Sequence, residues 1–406
     1  MFSSKFKLLS ALCLVGISLF IGCQLEEKGS KPQTSESLYN RVHGILKDSV
    51  LLLAEENVLR SPQTVTAFIS PRSAGGKHDY FSEGDYWWPD PENPEGPYMR
   101  KDGKSNPDNF NYHRMALISF GEIVGNLTSA YLITEDKRYL DAALKHCRAW
   151  FIDDSTKMNP NFLYAQAIQG RYTGRGIGII DAIHFMEIAQ SLSILEKQGQ
   201  IDAETLDGAK TWFNDFLNWL TQHPYGLKEK IHPNNHGSWY NAQVAMFAKF
   251  VANDSIRADC KSNFLQNLLP NQMDEDGSFP LEQERTKPYS YSLFNLDAML
   301  MNAFLLAEPQ EAIWGHEANI SPNIYQGLKY MRPYVEDKKT WPLGPDLMYW
   351  EEWPVAHISF LLGAAIFEKE EYFQLWARNK HFLENEVDEV RRTIPIKNPL
   401  LWISKE

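Results

Sequence analysis

Apolar residues recur at three- and four-residue intervals through most of the chain, the spacing that lays one face of an α-helix against a core. Leu46, Val50, Leu51 and Leu53 set one such face, and Ile118, Ile123, Leu127, Tyr131 and Leu132 a second. Ile183, Phe185, Met186, Ile188 and Leu192 set a third, and Trp212, Phe213, Phe216, Leu217 and Leu220 a fourth. Further helical runs span 244–251, 264–269, 293–306 and 355–367. Strand-like alternation is scarce. Loops rich in Gly, Pro and Asn separate the runs at 71–111, 153–178, 223–238, 271–290 and 333–354. Roughly ten to twelve helices in hairpin-like succession, without a fixed repeat, predict an all-α fold. The expected architecture is an α/α toroid, an incomplete α/α barrel, forming one domain over residues 38–406 with its chemistry on long cleft-forming loops at one end.

The first residues follow a different pattern. Lys5 and Lys7 precede an apolar run from Leu8 to Ile21, too short for an ordinary membrane span and the right length for a signal-peptide core. Gly22-Cys23 ends it, which predicts a lipoprotein-type signal over residues 1–22 and Cys23 as the lipidated first residue; an ordinary signal peptide that happens to contain a Cys is the alternative. Residues 23–37, rich in Glu, Lys, Ser and Gln, then read as a flexible tether. The expected product is an exported outer-membrane or periplasmic lipoprotein of a bacterium, held to the membrane by its N-terminal lipid.

Composition narrows the function. After Cys23 only Cys147 and Cys260 remain, so there is no disulfide framework; the two are small core residues or pair with each other. The formal net charge is −12, and it becomes more negative when Lys5 and Lys7 leave with the signal. That balance excludes a nucleic-acid partner and a generally basic surface. No spacing of metal ligands stands out, since Asp274, Glu275 and Asp276 lack a calcium-loop pattern and His232 and His236 precede a helix. No metal, no cofactor and a monomeric protein are expected.

The candidate chemistry sits in two segments about fifty residues apart. Asn234-Asn235-His236-Gly237-Ser238 precedes a helix predicted to begin near Ser238, which puts Asn235 and His236 where anions are favoured. Arg285-Thr286-Lys287-Pro288-Tyr289-Ser290-Tyr291 adds a guanidinium and two phenols. An amide and an imidazole can mask a sugar carboxylate while a phenol takes the proton beside it, as elimination from a uronic acid requires. A phenol with an ordinary pKa near ~10 needs help to act as a base, and a nearby guanidinium supplies it. Arg175, among Gly174, Gly176 and Gly178, is expected to contact substrate acid groups or a carboxylate such as Asp181. Tyr112, His113 and Arg114 form an aromatic and basic cluster assigned to substrate binding. In the 71–111 loop, Trp87 and Trp88 either stack on sugar rings or cap the core. His357, near Trp350 and Trp353, reads as a satisfied helix-end histidine.

The order of these segments resembles the alginate-lyase-like superfamily of polysaccharide lyases. The resemblance rests on Tyr86-Trp87-Trp88-Pro89-Asp90-Pro91, Gly174-Arg175-Gly176, Asn234-Asn235-His236 and Asp276-Gly277-Ser278-Phe279-Pro280-Leu281-Glu282 followed by Arg285 and Tyr291, and it spans residues 80–300. Polysaccharide lyase family thirty-eight is the most similar branch, with the older family five related to it. The resemblance implies β-elimination on a 1,4-linked uronic-acid polymer, with mannuronate-rich alginate first and glucuronan second. It implies that Asn235 and His236 neutralise the substrate carboxylate and that Arg285 assists Tyr291 as the base. Tyr289 is the rival phenol and is assigned to substrate binding. Two other classes compete: a glycoside hydrolase using two of Asp181, Glu282 and Glu284, and a non-catalytic surface glycan-binding lipoprotein.

Overall fold

A computed structural model describes residues 37–307, 323–381 and 388–403, apart from the side chains of residues 388 and 389. The expected signal segment, Cys23 and the tether as far as Glu36 lie outside the described residues. Helices α1 (Leu38–Asn57), α2 (Tyr112–Thr134), α3 (Lys137–Phe151), α4 (Phe185–Lys197), α5 (Ala203–Gln222), α6 (Pro224–Lys230), α7 (Asn235–Phe250) and α8 (Asp254–Asn263) come first. Two single turns, α9 (Leu269–Gln272) and α10 (Pro280–Gln283), lead to α11 (Pro288–Leu306), α12 (Ile324–Glu336), α13 (Ile358–Phe367), α14 (Glu370–Arg378) and α15 (Asp388–Thr393). Strands β1 (Phe81–Glu83), β2 (Trp87–Trp88), β3 (Met99–Arg100) and β4 (Tyr164–Ala167) are short. β1 pairs with β4 in parallel and β2 with β3 antiparallel.

The helices form two layers. α2, α4, α7, α11 and α13 pack side by side in succession, while α1, α3, α5, α8, α12 and α14 back onto them from outside. This is the helical toroid expected from the sequence, and residue chemistry explains the sorting. Inner helices are touched on all sides, so α11 is buried over nearly its whole length, polar Ser292, Asn295 and Asn302 included. Outer helices bury one stripe: in α5, Thr205, Ala209, Trp212, Phe213, Phe216, Leu217 and Leu220. Two segments, Tyr112–Thr134 and Gly176–Lys197, have the length and mean hydropathy of membrane spans, but 78% of each apolar window is buried inside the fold, which makes them core. Between the layers the aromatic residues interlock. Phe120 stacks on Trp150 at 4.8 Å, and Phe185 lies 5.0 Å from Trp212, joining α2, α3, α4 and α5. Cys147 and Cys260 are buried and unpaired with each other.

Several boundaries differ from those the sequence pattern predicts, and the differences bear on the site. The 223–238 loop contains α6, and α7 starts at Asn235, three residues earlier than predicted, because the Asn234 side chain caps it by accepting from the His236 N–H at 3.2 Å. The 271–290 loop contains α10, and α11 starts at Pro288, a residue suited to a first helical turn. Tyr289 and Tyr291 are therefore helical. Gly174 is needed because a Cβ there would sit 1.9 Å from the Leu163 carbonyl oxygen, where the chain passes β4 on its way to Arg175.

Candidate active site

A cavity of about 380 Å³ opens where the 84–110 loop, β4, the start of α7 and the start of α11 converge. Tyr86, Trp87, Arg175, Asn235, His236, Arg285 and Tyr291 all line it. Asn235 and His236 occupy the first two positions of α7, where the backbone N–H groups and the helix dipole favour an anion. His236 Nδ1 is 2.6 Å from the buried Glu229 carboxylate, which leaves Nε2 as the ring nitrogen for a ligand. Asn235 is held by Glu282: its backbone N–H donates at 2.6 Å and its Nδ2 donates at 2.9 and 2.8 Å to the two carboxylate oxygens. With Glu282 accepting in this way, the amide turns its Oδ1 away from that carboxylate. Burial raises the Glu282 pKa, against the opposing effect of the Asn235 hydrogen bonds and of Arg285 and His236.

Tyr291 sits in the first turn of α11, almost fully buried. Its hydroxyl is 2.5 Å from that of Tyr86, and the Arg285 guanidinium lies 4.6 Å from its ring centroid. Lys287 donates to the Tyr86 hydroxyl at 3.4 Å. Two cations thus surround a pair of phenols, an arrangement that favours a phenolate on one with the other donating to it. Burial works against the Arg285 charge, but Tyr291 and Asp102 outweigh it and hold the guanidinium above its ordinary pKa. Asp102 accepts from Arg285 at 3.1 Å, fixing the fork.

Arg175 reaches the cavity through Gln166, donating Nε–H to its carbonyl at 2.8 Å and a terminal N–H to its side-chain oxygen at 3.3 Å. Burial, with Arg100 nearby, lowers its pKa to about 10. It does not bond Asp181, which accepts instead from Tyr80, Ser82 and Gln166. Gln166 itself has a φ of 48°, a left-handed conformation uncommon for a side-chain-bearing residue and the kind of local strain that collects at functional sites. From the C-terminal part, Arg392 pairs with Asp85, which Arg114 also holds at 2.7 Å. The lining thus gathers Arg100, Arg175, Arg285, Arg392, His232 and His236 against Asp85 and Asp181. A chain of net charge −12 makes its positive field locally.

Five residues assigned to substrate binding from sequence lie outside this lining. Tyr112 is exposed and stacks on Phe68. His113 is buried between the Phe81 N–H and the Phe68 carbonyl, and Arg114 is buried behind Asp85. Trp88 donates its indole N–H to the Lys104 carbonyl. Tyr289 is fully buried with its hydroxyl on the Tyr334 carbonyl. In α11, positions two apart point in different directions, so only one of the two phenols reaches the cavity. His357 is buried against Asp297 at 2.7 Å. No hydrolase pair assembles from the candidate acids: both Glu282 oxygens are bound by Asn235, Asp181 is buried in its own network, and Glu284 is exposed. Among the described residues no three His, Cys, Asp or Glu side chains converge as metal ligands. Sequence reasoning passed over Tyr86, Gln166, Lys287 and Arg392 as site residues. Tyr86 stood beside the singled-out Trp87, whereas nothing local marks Gln166 or Arg392.

The architecture has solved counterparts. A crystal structure of an alginate lyase from Bacteroides ovatus superposes with a TM-score of 0.75 at 27% identity, covering 91% of this chain and 97% of that one. Alginate lyase A1-III from Sphingomonas species A1 shares the fold at 14% identity with a TM-score of 0.56, covering 88% of this chain and 94% of that one. A variant of A1-III complexed with a tetrasaccharide gives 0.57 at 14% identity, with the same coverage. No curated protein matches the chain. The family model described as alginate lyase matches residues 64–341, which contain every lining residue named above except Arg392. The chain therefore belongs to the alginate lyase family and is a polysaccharide lyase.

Proposed function

We propose that the enzyme cleaves a 1,4-linked uronic-acid polymer, mannuronate-rich alginate first and glucuronan second, by β-elimination at the cavity holding Tyr291. The observation that carries this reading is the Tyr291–Tyr86 hydroxyl pair beside Arg285, in one cavity with His236 and Asn235 at a helix N-terminus. His236 and Asn235 bind the carboxylate on C5, which makes the C5 proton acidic. Tyr291 as phenolate takes that proton, the C5–H pair forms the C4=C5 double bond, and the C4–O bond breaks. Where C5–H and C4–O share a face, as in mannuronate or glucuronate, Tyr291 returns the proton to the leaving oxygen. Alginate stands first because the solved relatives are alginate lyases. Glucuronan stays second because its sugar differs by the orientation of one hydroxyl.

Tyr291→Phe tests this. The variant should fold, since it deletes one oxygen, and should lose elimination by about 10²- to 10⁴-fold, the usual cost of losing a general base. The readout is the initial rate of ultraviolet absorbance from the new double bond on both polymers, with a melting curve for folding. A folded variant at near-normal rate would sink the mechanism. We further propose that Cys23 carries a lipid and anchors an exported monomer. Labelling the protein with a radioactive fatty acid in its native host should mark the wild type and not Cys23→Ser, and unlabelled wild-type protein would remove this claim.

A further inference from the structure

The backbone that carries Arg392 into the cleft also walls a second cavity. This space, of about 440 Å³, lies among α1, α2 and the segment after α15: Arg391 and Lys397 line it, while Arg392 and Thr393 line the cleft. Among the described residues, four cations, Arg60, Lys380, Arg391 and Lys397, line it against one carboxylate, Glu122. That excess opposes the sign of the molecule, whose net charge is −12. Glu122 pairs with Arg391 and Lys397, and although burial would raise its pKa, those two cations hold it at about 2, so it is ionised throughout the working range. Arg60 and Lys380 are exposed, and neither has an ion-pair partner among the described residues. Leu53, Met115 and Ile394 supply apolar wall between the charges.

An apolar wall with convergent cations suits a small ligand that has one anionic group and a hydrocarbon face. A pyranose ring bearing a carboxylate has both, and the volume is of the order that holds a small molecule. We propose that this cavity is a second binding site, separate from the cleft, for a uronate mono- or disaccharide. The choice of a uronate rests on the function proposed above, whereas the need for an anion rests on the lining alone.

The test is calorimetric titration of sodium glucuronate, with glucose as the uncharged control, into the full chain at low ionic strength. Three proteins are compared: a cleft variant, His236→Ala with Arg285→Ala; the same protein with Arg60→Ala and Lys380→Ala added; and wild type carrying only the latter pair. The cleft variant should bind about one equivalent of glucuronate and no glucose. Adding the Arg60 and Lys380 changes should weaken that binding about tenfold or more, while those changes alone leave polymer cleavage intact. Arg60 and Lys380 are exposed, so folding is not at stake. Three outcomes overturn the proposal: no glucuronate binding by the cleft variant, equal binding with and without Arg60 and Lys380, or glucose binding as tightly as glucuronate. Displacement of glucuronate by equimolar sulfate would also overturn it, since the site would then read charge alone. None of these readings depends on turnover, so failure of the lyase mechanism is seen separately in the absorbance assay.

Discussion

At the scale of single residues, the Asn235–Glu282 contact sets a condition on the chemistry. The two Glu282 oxygens lie 2.9 and 2.8 Å from the one Asn235 Nδ2, too close together to take both of its hydrogens, so an ionised Glu282 shares one N–H between them and leaves the other for the substrate. A protonated Glu282 donates to Oδ1 instead, which turns the amide over and moves that N–H. Burial raises the Glu282 pKa, while the Asn235 hydrogen bonds, Arg285 and His236 act in the other direction. Activity should therefore rise with pH through the folded-state pKa of Glu282. Glu282→Gln can accept from the Asn235 backbone N–H and Nδ2 with its one oxygen and does not titrate, so it should keep most of kcat and lose that rise. Glu282→Ala should cut kcat by about 10- to 100-fold through misplacement of Asn235. Rate–pH profiles of the three proteins decide the matter, and a wild-type rate that falls across this range would mean that the protonated form is the one required.

At the scale of elements, the site depends on where α7 begins. Asn234, Asn235 and His236 hold their places only if the helix packs tightly against the preceding turn, and Gly237 permits this. A Cβ at Gly237 would lie 2.1 Å from the His232 carbonyl oxygen, a backbone atom that cannot move alone. Gly237→Ala should push α7 away from the 232–234 turn, lowering stability by about 1–3 kcal/mol, the usual cost of overpacking. Cleavage should fall further than stability predicts, because His236 leaves Glu229. Denaturant melts paired with initial rates measure both, and an Ala variant as active as wild type would place the site's rigidity elsewhere. Helix existence was legible from periodicity along α1, α2, α5 and α11. The start of α7 was not, because it is set by the Asn234 cap and by burial of Asn235 on Glu282, a contact across 47 positions.

At the scale of the whole molecule, the toroid was legible because inner and outer helices differ in how many faces they bury, and that difference is written as continuous or one-sided apolar patterning. The assembly of the site was legible only where the residues fall in recognisable segments. Tyr86 meets Tyr291 across 205 positions, and Arg392 arrives at Asp85 from beyond the family-matched region; no local pattern encodes either meeting. The same burial that builds the core predicts the molecule's response to acid. His113, His146, His184, His223, His232 and His381 all have pKa values lowered chiefly by desolvation, so they fold neutral. His146, on α3, is the clearest case, pushed down to about 4 by burial, against the opposing effect of its hydrogen bond to the Arg60 carbonyl. Its unfolded value is about 6.5, so between these two values the unfolded chain binds more protons. Stability from this group is therefore complete above about pH 6.5 and is lost as pH falls toward about 4, at up to about 1.4 kcal/mol per pH unit. Wild type should lose Tm steeply between pH 6.5 and 4.5. His146→Gln, which keeps a donor for the Arg60 carbonyl but cannot be protonated, should lose it more gradually over the same range. Differential scanning calorimetry at half-unit pH steps gives both slopes; parallel slopes would mean that the carboxylates, and not the buried histidines, govern acid unfolding.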